Sequence, residues 1–195
     1  MPRAGLSATH IVTEAAGIAD TDGIEAVSLA RLAGQLGVRV PSLYKHIDGL
    51  ADLRTRLAVT GVRGLTEAVA AATVGRAGRD ALLACCRAYR DYAHRHPGRY
   101  AAIQRPPDPH SPADQEYREH TDALLALVLT VLRGYDLDGD DAVHAARVLR
   151  STLHGFVALE QLGGFGLPAD LETSFDRAVD TIDAGLHAPR GKDTP

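Results

Sequence analysis

Residues Ser28–Ile47 read SLARLAGQLGVRVPSLYKHI, and this stretch decides the fold. Ser28 is a helix-capping residue, because its hydroxyl oxygen can accept a hydrogen bond from an orphan N–H of the first turn. Leu29, Leu32, Ala33 and Leu36 recur at i, i+3, i+4 and i+7, which puts them on one apolar helix face. Gly37 supplies the left-handed residue that ends that helix at little steric cost. A second short helix follows, with Leu43 and Ile47 inward and Ser42, Tyr44, Lys45 and His46 outward. A short helix, a glycine turn and a second helix with polar outward side chains have the geometry that fits the major groove of a duplex.

Composition sets the outer limits. A chain of 195 residues with 45% hydrophobic and 24% charged residues is an ordinary globular protein of one domain or two small ones. No apolar run approaches the ~18 residues of a membrane span. The start, MPRAGLSATHIV, lacks the long apolar core of a secretory signal. Cys85 and Cys86 are adjacent, which rules out a disulfide framework. The expectation is a cytoplasmic protein without membrane contact. The net charge of −4 is unusual for a nucleic-acid binder, and its distribution matters. Residues 1–60 hold six basic groups (Arg3, Arg31, Arg39, Lys45, Arg54, Arg56) and six acids (Glu14, Asp20, Asp22, Glu25, Asp48, Asp52). The acidic excess therefore lies in the rest of the chain, and a neutral head implies modest nonspecific affinity.

The remainder is helical in pattern, so the fold class is all-α, with about nine helices. The first helix starts after Ser7 and buries Ile11, Ala15, Ile18 and Ala19. The fourth follows Asp48-Gly49 with Leu50, Leu53, Leu57, Leu65 and Val69 inward, and Gly61 and Gly64 interrupt it as a candidate hinge. Asp80 caps the fifth, and His96-Pro97-Gly98 stops it before a short sixth through Tyr100. Arg105–Pro112 holds four prolines in eight residues and is a loop. The seventh helix carries Tyr117, Leu124 and Leu132. The eighth opens at Asp140 or Asp141 and reaches Leu162, and the ninth follows Pro168. The domain reading is 1–48 as a helix-turn-helix head, 49–187 as a helical body, and 188–195 as a disordered tail.

The joint spacing of Gly23, Ser28, Leu32-Ala33, Leu36-Gly37-Val38 and Leu43-Tyr44-x-His46 resembles the DNA-binding domain of the tetracycline-repressor (TetR) family, over about residues 6–57. His96-Pro97-Gly98-Arg99-Tyr100 and Leu153-His154-Gly155-Phe156 resemble two junctions of one C-terminal subgroup, whose motif usually reads Trp-His-Gly; Leu153 stands where the Trp would be. The resemblance implies a homodimeric, ligand-responsive transcriptional regulator, usually a repressor, that binds a double-stranded DNA operator and leaves it when a small-molecule effector enters the C-terminal domain. It also implies that Tyr44 and His46 contact phosphates. The family often places a Lys at the start of the fourth helix, and this chain has Leu50.

The DNA-binding candidates are Ser28, Arg39, Val40, Pro41, Ser42, Tyr44, Lys45 and His46. Arg can bond a guanine edge bidentately, Ser a base or a phosphate, and Val or Pro can pack a thymine methyl. Tyr89, Tyr92, His96, Ile103, His120, Leu124 and His154 are the ligand-pocket candidates, because polar-tipped side chains extend an apolar stripe. Core packing is the competing reading for each. Leu149, Leu153 and Phe156 with Phe175, Val179 and Ile182 are the dimer-interface candidates, since operator half-sites about one turn apart need two linked heads. No metal site or cofactor is expected: His94 and His96 diverge on a helix, and Asp136–Asp141 lacks the Gly and Glu of a calcium loop. No catalytic motif appears, so the chain is read as a non-enzyme. The alternative is a helical small-molecule-binding protein or enzyme whose head no longer uses DNA, favoured by Leu50 and the neutral head.

Overall fold

The structure, a computed structural model, describes residues 6–188, and every regular element among them is helical. The helices are α1 (Ala8–Asp22), α2 (Leu29–Leu36), α3 (Val40–Leu43), α4 (Leu50–Thr73), α5 (Gly78–Arg95), α6 (Pro97–Ala102), α7 (Gln115–Leu132), α8 (Gly139–Gln161) and α9 (Leu171–His187). The tail expected over 188–195 lies outside the described residues, apart from Ala188. No described helix is long and apolar enough to cross a membrane.

The described residues form two compact units, 6–66 with 92–124 and 67–91 with 125–188. The boundary expected at residue 48 falls inside the first unit. In that unit Ser7 Oγ accepts from His10 N and Ser28 Oγ from Arg31 N, each at 3.2 Å, so α1 and α2 open on the caps the sequence supplies. Gly37 adopts φ 65°, and the Val38 amide donates back to Ala33 O at 2.9 Å, which turns the chain toward α3. Ile11, Ala15, Ile18, Ala19, Leu32, Leu43, Ile47, Leu53 and Leu57 are the buried core beneath that turn.

Three glycines in the first unit are set by close approach. A Cβ on Gly98 of α6 would overlap the backbone carbonyl of Ala19 in α1. A Cβ on Gly61 would lie 2.6 Å from Arg99 O, and one on Gly64 would lie 2.8 Å from the Tyr92 hydroxyl. Helix α4 runs unbroken from Leu50 to Thr73. Gly61 and Gly64 therefore give space to α6 and to Tyr92.

The proline loop is fastened by Asp114, buried at the start of α7. Its carboxylate accepts from Arg105 (2.7 and 3.0 Å), from the Asp108 amide (2.8 Å) and from the Thr55 hydroxyl (3.0 Å). Arg105 stacks over the Tyr117 ring at 5.0 Å, and the Tyr117 hydroxyl faces Ile103 O and Arg105 O.

In the second unit Leu82, Cys85, Cys86, Leu132, Leu149, Leu153, Val157, Phe175 and Val179 are buried. Burial pushes the Cys85 thiol up to about 12, so it stays protonated and packs as a small apolar group. Pairs Arg79–Asp180, Arg87–Asp176 and Arg90–Glu172 run in opposite residue order and lay α9 antiparallel along α5. Arg90 is buried, bonds Glu160 at 2.6 Å, and lies 4.6 Å from the Phe175 ring centre. Helix α5 starts at Gly78, so Asp80 sits in its first turn rather than capping it, where its charge still favours the N-terminus. Helix α8 starts at Gly139, one residue before the expected opening.

The bonds from Arg105 hold the Asp114 carboxyl well below the usual carboxylate range, with the Asp108 amide and Thr55 adding to the effect against burial. A depressed carboxylate stabilises the fold fully above its unfolded pKa of about 3.9, and that contribution is lost as pH falls below it. Asp114→Asn should therefore cost roughly 2–3 kcal/mol at neutral pH. Urea unfolding at a series of pH values should show the two proteins converging in acid.

Candidate nucleic-acid interface and effector residues

The outward surface of the helix-turn-helix is built by one short element. Helix α3 is only Val40–Leu43, with Arg39 at its N-cap, Pro41 in its first turn, and Leu43 fully buried as its anchor. The chain continues as a tight turn, where the His46 amide bonds Leu43 O at 2.9 Å. Arg39, Pro41, Tyr44 and Lys45 are exposed, Tyr44 at 55%, and Val40, Ser42 and His46 are half-buried. Ser28 lies at the N-terminus of α2, its hydroxyl already engaged as the cap. The eight candidates thus occupy α3, its flanks and the start of α2.

Ion pairing resolves the neutral charge of the head. Arg31 is paired with Asp22, Arg54 with Glu25 at 3.1 Å, and Arg56 with Asp52 at 2.9 Å. Asp20 is engaged by Arg99 at 2.8 Å, and Glu14 accepts from Gln35 at 2.8 Å. Arg39 and Lys45 make no ion pair among the described residues. Four of the six acids therefore pair with arginines, Glu14 and Asp48 do not, and the head's cations left over among the described residues flank α3. This arrangement removes the neutral head as an argument against DNA. The start of α4 is different: Leu50 is half-buried, and Asp52 accepts from the Asp48 amide at 2.9 Å. A carboxylate, not a lysine, therefore caps this end of α4.

The effector candidates divide between the units. Tyr92, His96, Ile103, His120 and Leu124 belong to the first, and Tyr89 and His154 to the second. Tyr92 and His96 are in contact, their ring centres 4.9 Å apart and edge to face. His96 Nδ1 lies 2.7 Å from the Arg99 guanidinium, which can only donate, so the imidazole carries its proton on Nε2. Burial and then Arg99 lower the His96 pKa, against the opposing pull of Asp20. Tyr92 and Ile103 are buried, while His120 and Leu124 are half-buried.

The dimer candidates lie on α8 and α9. Leu149, Leu153, Phe175, Val179 and Ile182 are buried within their own subunit, and Phe156 stacks on Phe165 and Phe175. A side chain already removed from water has little area to offer a second chain. The residues exposed or half-exposed on the same helices lie one position away, as Val148 and Ala178 do. The sequence period found the apolar faces of α8 and α9 but could not say which face the subunit itself covers.

A helix-turn-helix head with free cations at its reading element, on an all-helical body, defines a DNA-binding regulator. The tetracyclin repressor-like C-terminal domain matches residues 82–182, a span that includes both the His96–Tyr100 junction and the Leu153–Phe156 motif. The HTH-type transcriptional regulator Rv0681 of Mycobacterium tuberculosis is 42% identical over 183 residues, 94% of this chain and 83% of that protein. YobS of Bacillus subtilis, also an HTH-type transcriptional regulator, is 38% identical over 187 residues, 95% of each chain. The structure of the TetR-family protein ActR of Streptomyces coelicolor, in complex with (S)-DNPA, superposes with a TM-score of 0.65 at 21% identity, covering 94% of this chain and 98% of that one. The chain belongs to the TetR family of transcriptional regulators.

Lys45→Ala should weaken binding to every duplex and flatten the slope of log K against log salt by about 0.9 for each phosphate released. Arg31→Ala should leave that slope unchanged, because Asp22 already holds the guanidinium. Arg39→Ala should relax preference at one operator position by ~1–3 kcal/mol, read by titrating single-base variants of a selected duplex.

Proposed function

We propose that this chain is a homodimeric repressor, acting in the cytoplasm, that leaves its operator when a small molecule binds its C-terminal domain. The observation that carries the DNA half is the pair of unpaired cations, Arg39 and Lys45, flanking a reading helix whose neighbouring arginines Arg31, Arg54 and Arg56 are each ion-paired. Arg39 reads a base edge, Ser42 reads a base or a phosphate, and Val40 and Pro41 pack a thymine methyl. Tyr44, Lys45 and His46 fix register on the phosphates, with Ser28 at the α2 N-terminus alongside. The effector half is supported by ActR, a relative of the same fold that holds (S)-DNPA. Tyr89, Tyr92, His96, Ile103, His120, Leu124 and His154 are the residues assigned to the effector. Release is a population shift, in which the effector binds the DNA-incompetent state more tightly than the competent one.

Dimerisation is supported by the faces that α8 and α9 leave uncovered. Val148, Thr152, Gly155 and Leu159 on α8, with Leu162 at its C-cap, follow one another at intervals of four, three, four and three residues, and none is buried. On α9, Ser174, Ala178, Thr181 and Gly185 repeat the first three of these intervals. A seam at that spacing faces one side of a helix continuously and suits a helix of a second copy, and the small residues on α9 let backbones approach closely. Between the seams lies a groove of about 570 Å³, lined by Leu137, Val148, Thr152, Ala178, Thr181 and Leu186 among others.

A reporter driven by the DNA upstream of the chain's own gene should be silenced when the chain is present and released when it is deleted; higher expression with the chain present would make it an activator. In sedimentation, Val148→Glu with Ala178→Glu should yield a folded monomer. Leu149→Ala should instead cost ~2–5 kcal/mol of stability while association persists, because its side chain packs within the subunit.

A further inference from the structure

We propose that Thr55, Arg105 and Asp114 form a clip that positions the reading helix for DNA, with Thr55 as the positioning residue on α4. This rests on the DNA-binding reading above and concerns residues that touch no groove.

Helix α4 has two faces with different duties in its first turns. Leu53 and Leu57 are fully buried in the core of the head, and Arg54 reaches Glu25 in the turn before α2. Thr55 lies about 200° around the helix from each of these leucines, on the opposite side. There it is buried, and its hydroxyl is committed twice: it donates to Asp114 Oδ1 at 3.0 Å and accepts from Arg105 at 2.9 Å. Asp114 is itself 4% exposed and is held by Arg105 and by the Asp108 amide. Arg118 closes the far side of the loop by donating to Asp108 O and to Ser111 O, the latter at 2.9 Å. The proline loop and the start of α7 thus grip α4 at one side-chain oxygen, one residue beyond Arg54, which ties α4 to Glu25 before α2.

A helix fixed on one face by leucines can still roll and slide, since dispersion contacts are non-directional. Charge-assisted hydrogen bonds of short, fixed geometry remove that freedom. With the clip closed, α3 is offered to DNA in one pose. With it open, only a fraction of heads stands in that pose, and the apparent Kd rises by the inverse of that fraction.

The test compares the full-length chain with Thr55→Val and Thr55→Ser on a duplex selected from a random pool, with helicity and active fraction checked for each. Thr55→Val keeps the shape and removes the hydroxyl. It should bind about tenfold more weakly at an unchanged salt slope, because no phosphate contact is lost. Thr55→Ser keeps the hydroxyl and should bind within about twofold of the parent. If Thr55→Val loses its helical signal, Thr55→Ala carries the same comparison. Parental affinity in the valine variant, a flattened slope, or a serine variant as weak as the valine one would overturn the clip. A parent chain that selects no duplex would overturn the DNA-binding reading itself, and the clip with it.

Discussion

Backbone meets backbone where Gly98 of α6 lies on Ala19 of α1, with no room for a Cβ between them. The recognition element depends on this contact, because α3 is too short to stand alone: it has one turn and one fully buried anchor, Leu43. Helices of this length are unstable in water without tertiary support. The support comes from α1, which Gly98 fixes from behind and which Asp20 ties to the Arg99 amide and guanidinium at 2.9 and 2.8 Å. Gly61 continues the arrangement by bringing α4 against Arg99 O. One turn of α6 thus meets both helices that frame the reading element, and the head forms one unit with it.

The electrostatics of the head follow the same economy. Arginines that brace its helices are each given a carboxylate, and the cations that are not braced flank α3. Exposed pairs of this kind contribute little stability, roughly 0–1 kcal/mol each. Their consequence here is selective: they occupy the structural arginines and leave Arg39 and Lys45 as the cations beside α3 without an ion pair among the described residues. Weak attraction to DNA in general and dependence on a few well-placed contacts are the expected result.

Much of this was legible in the sequence because it is local. Serine caps, Gly37, the buried positions of α1 and α2 and the proline loop are all read from neighbours within a few residues. The same locality accounts for the resemblance that led to the family. What escaped was long-range. Arg54 and Glu25 are 29 residues apart, and Thr55 and Asp114 are 59 apart, so no window around either shows the partner. Gly61 and Gly64 read as flexible in isolation, whereas their neighbours are Arg99, Ile103 and Tyr92 from later in the chain. The apolar period on α8 and α9 marks faces correctly, but five of the six residues chosen for a dimer are covered by their own subunit.

Hydroxyl-radical footprinting of the full chain on a duplex enriched from random sequence measures the central claim most directly. Two protected segments on one face of the helix, centred about one turn apart, are expected if paired α3 helices enter successive major grooves. Uniform cleavage at saturating protein, or protection of a single segment, would contradict it.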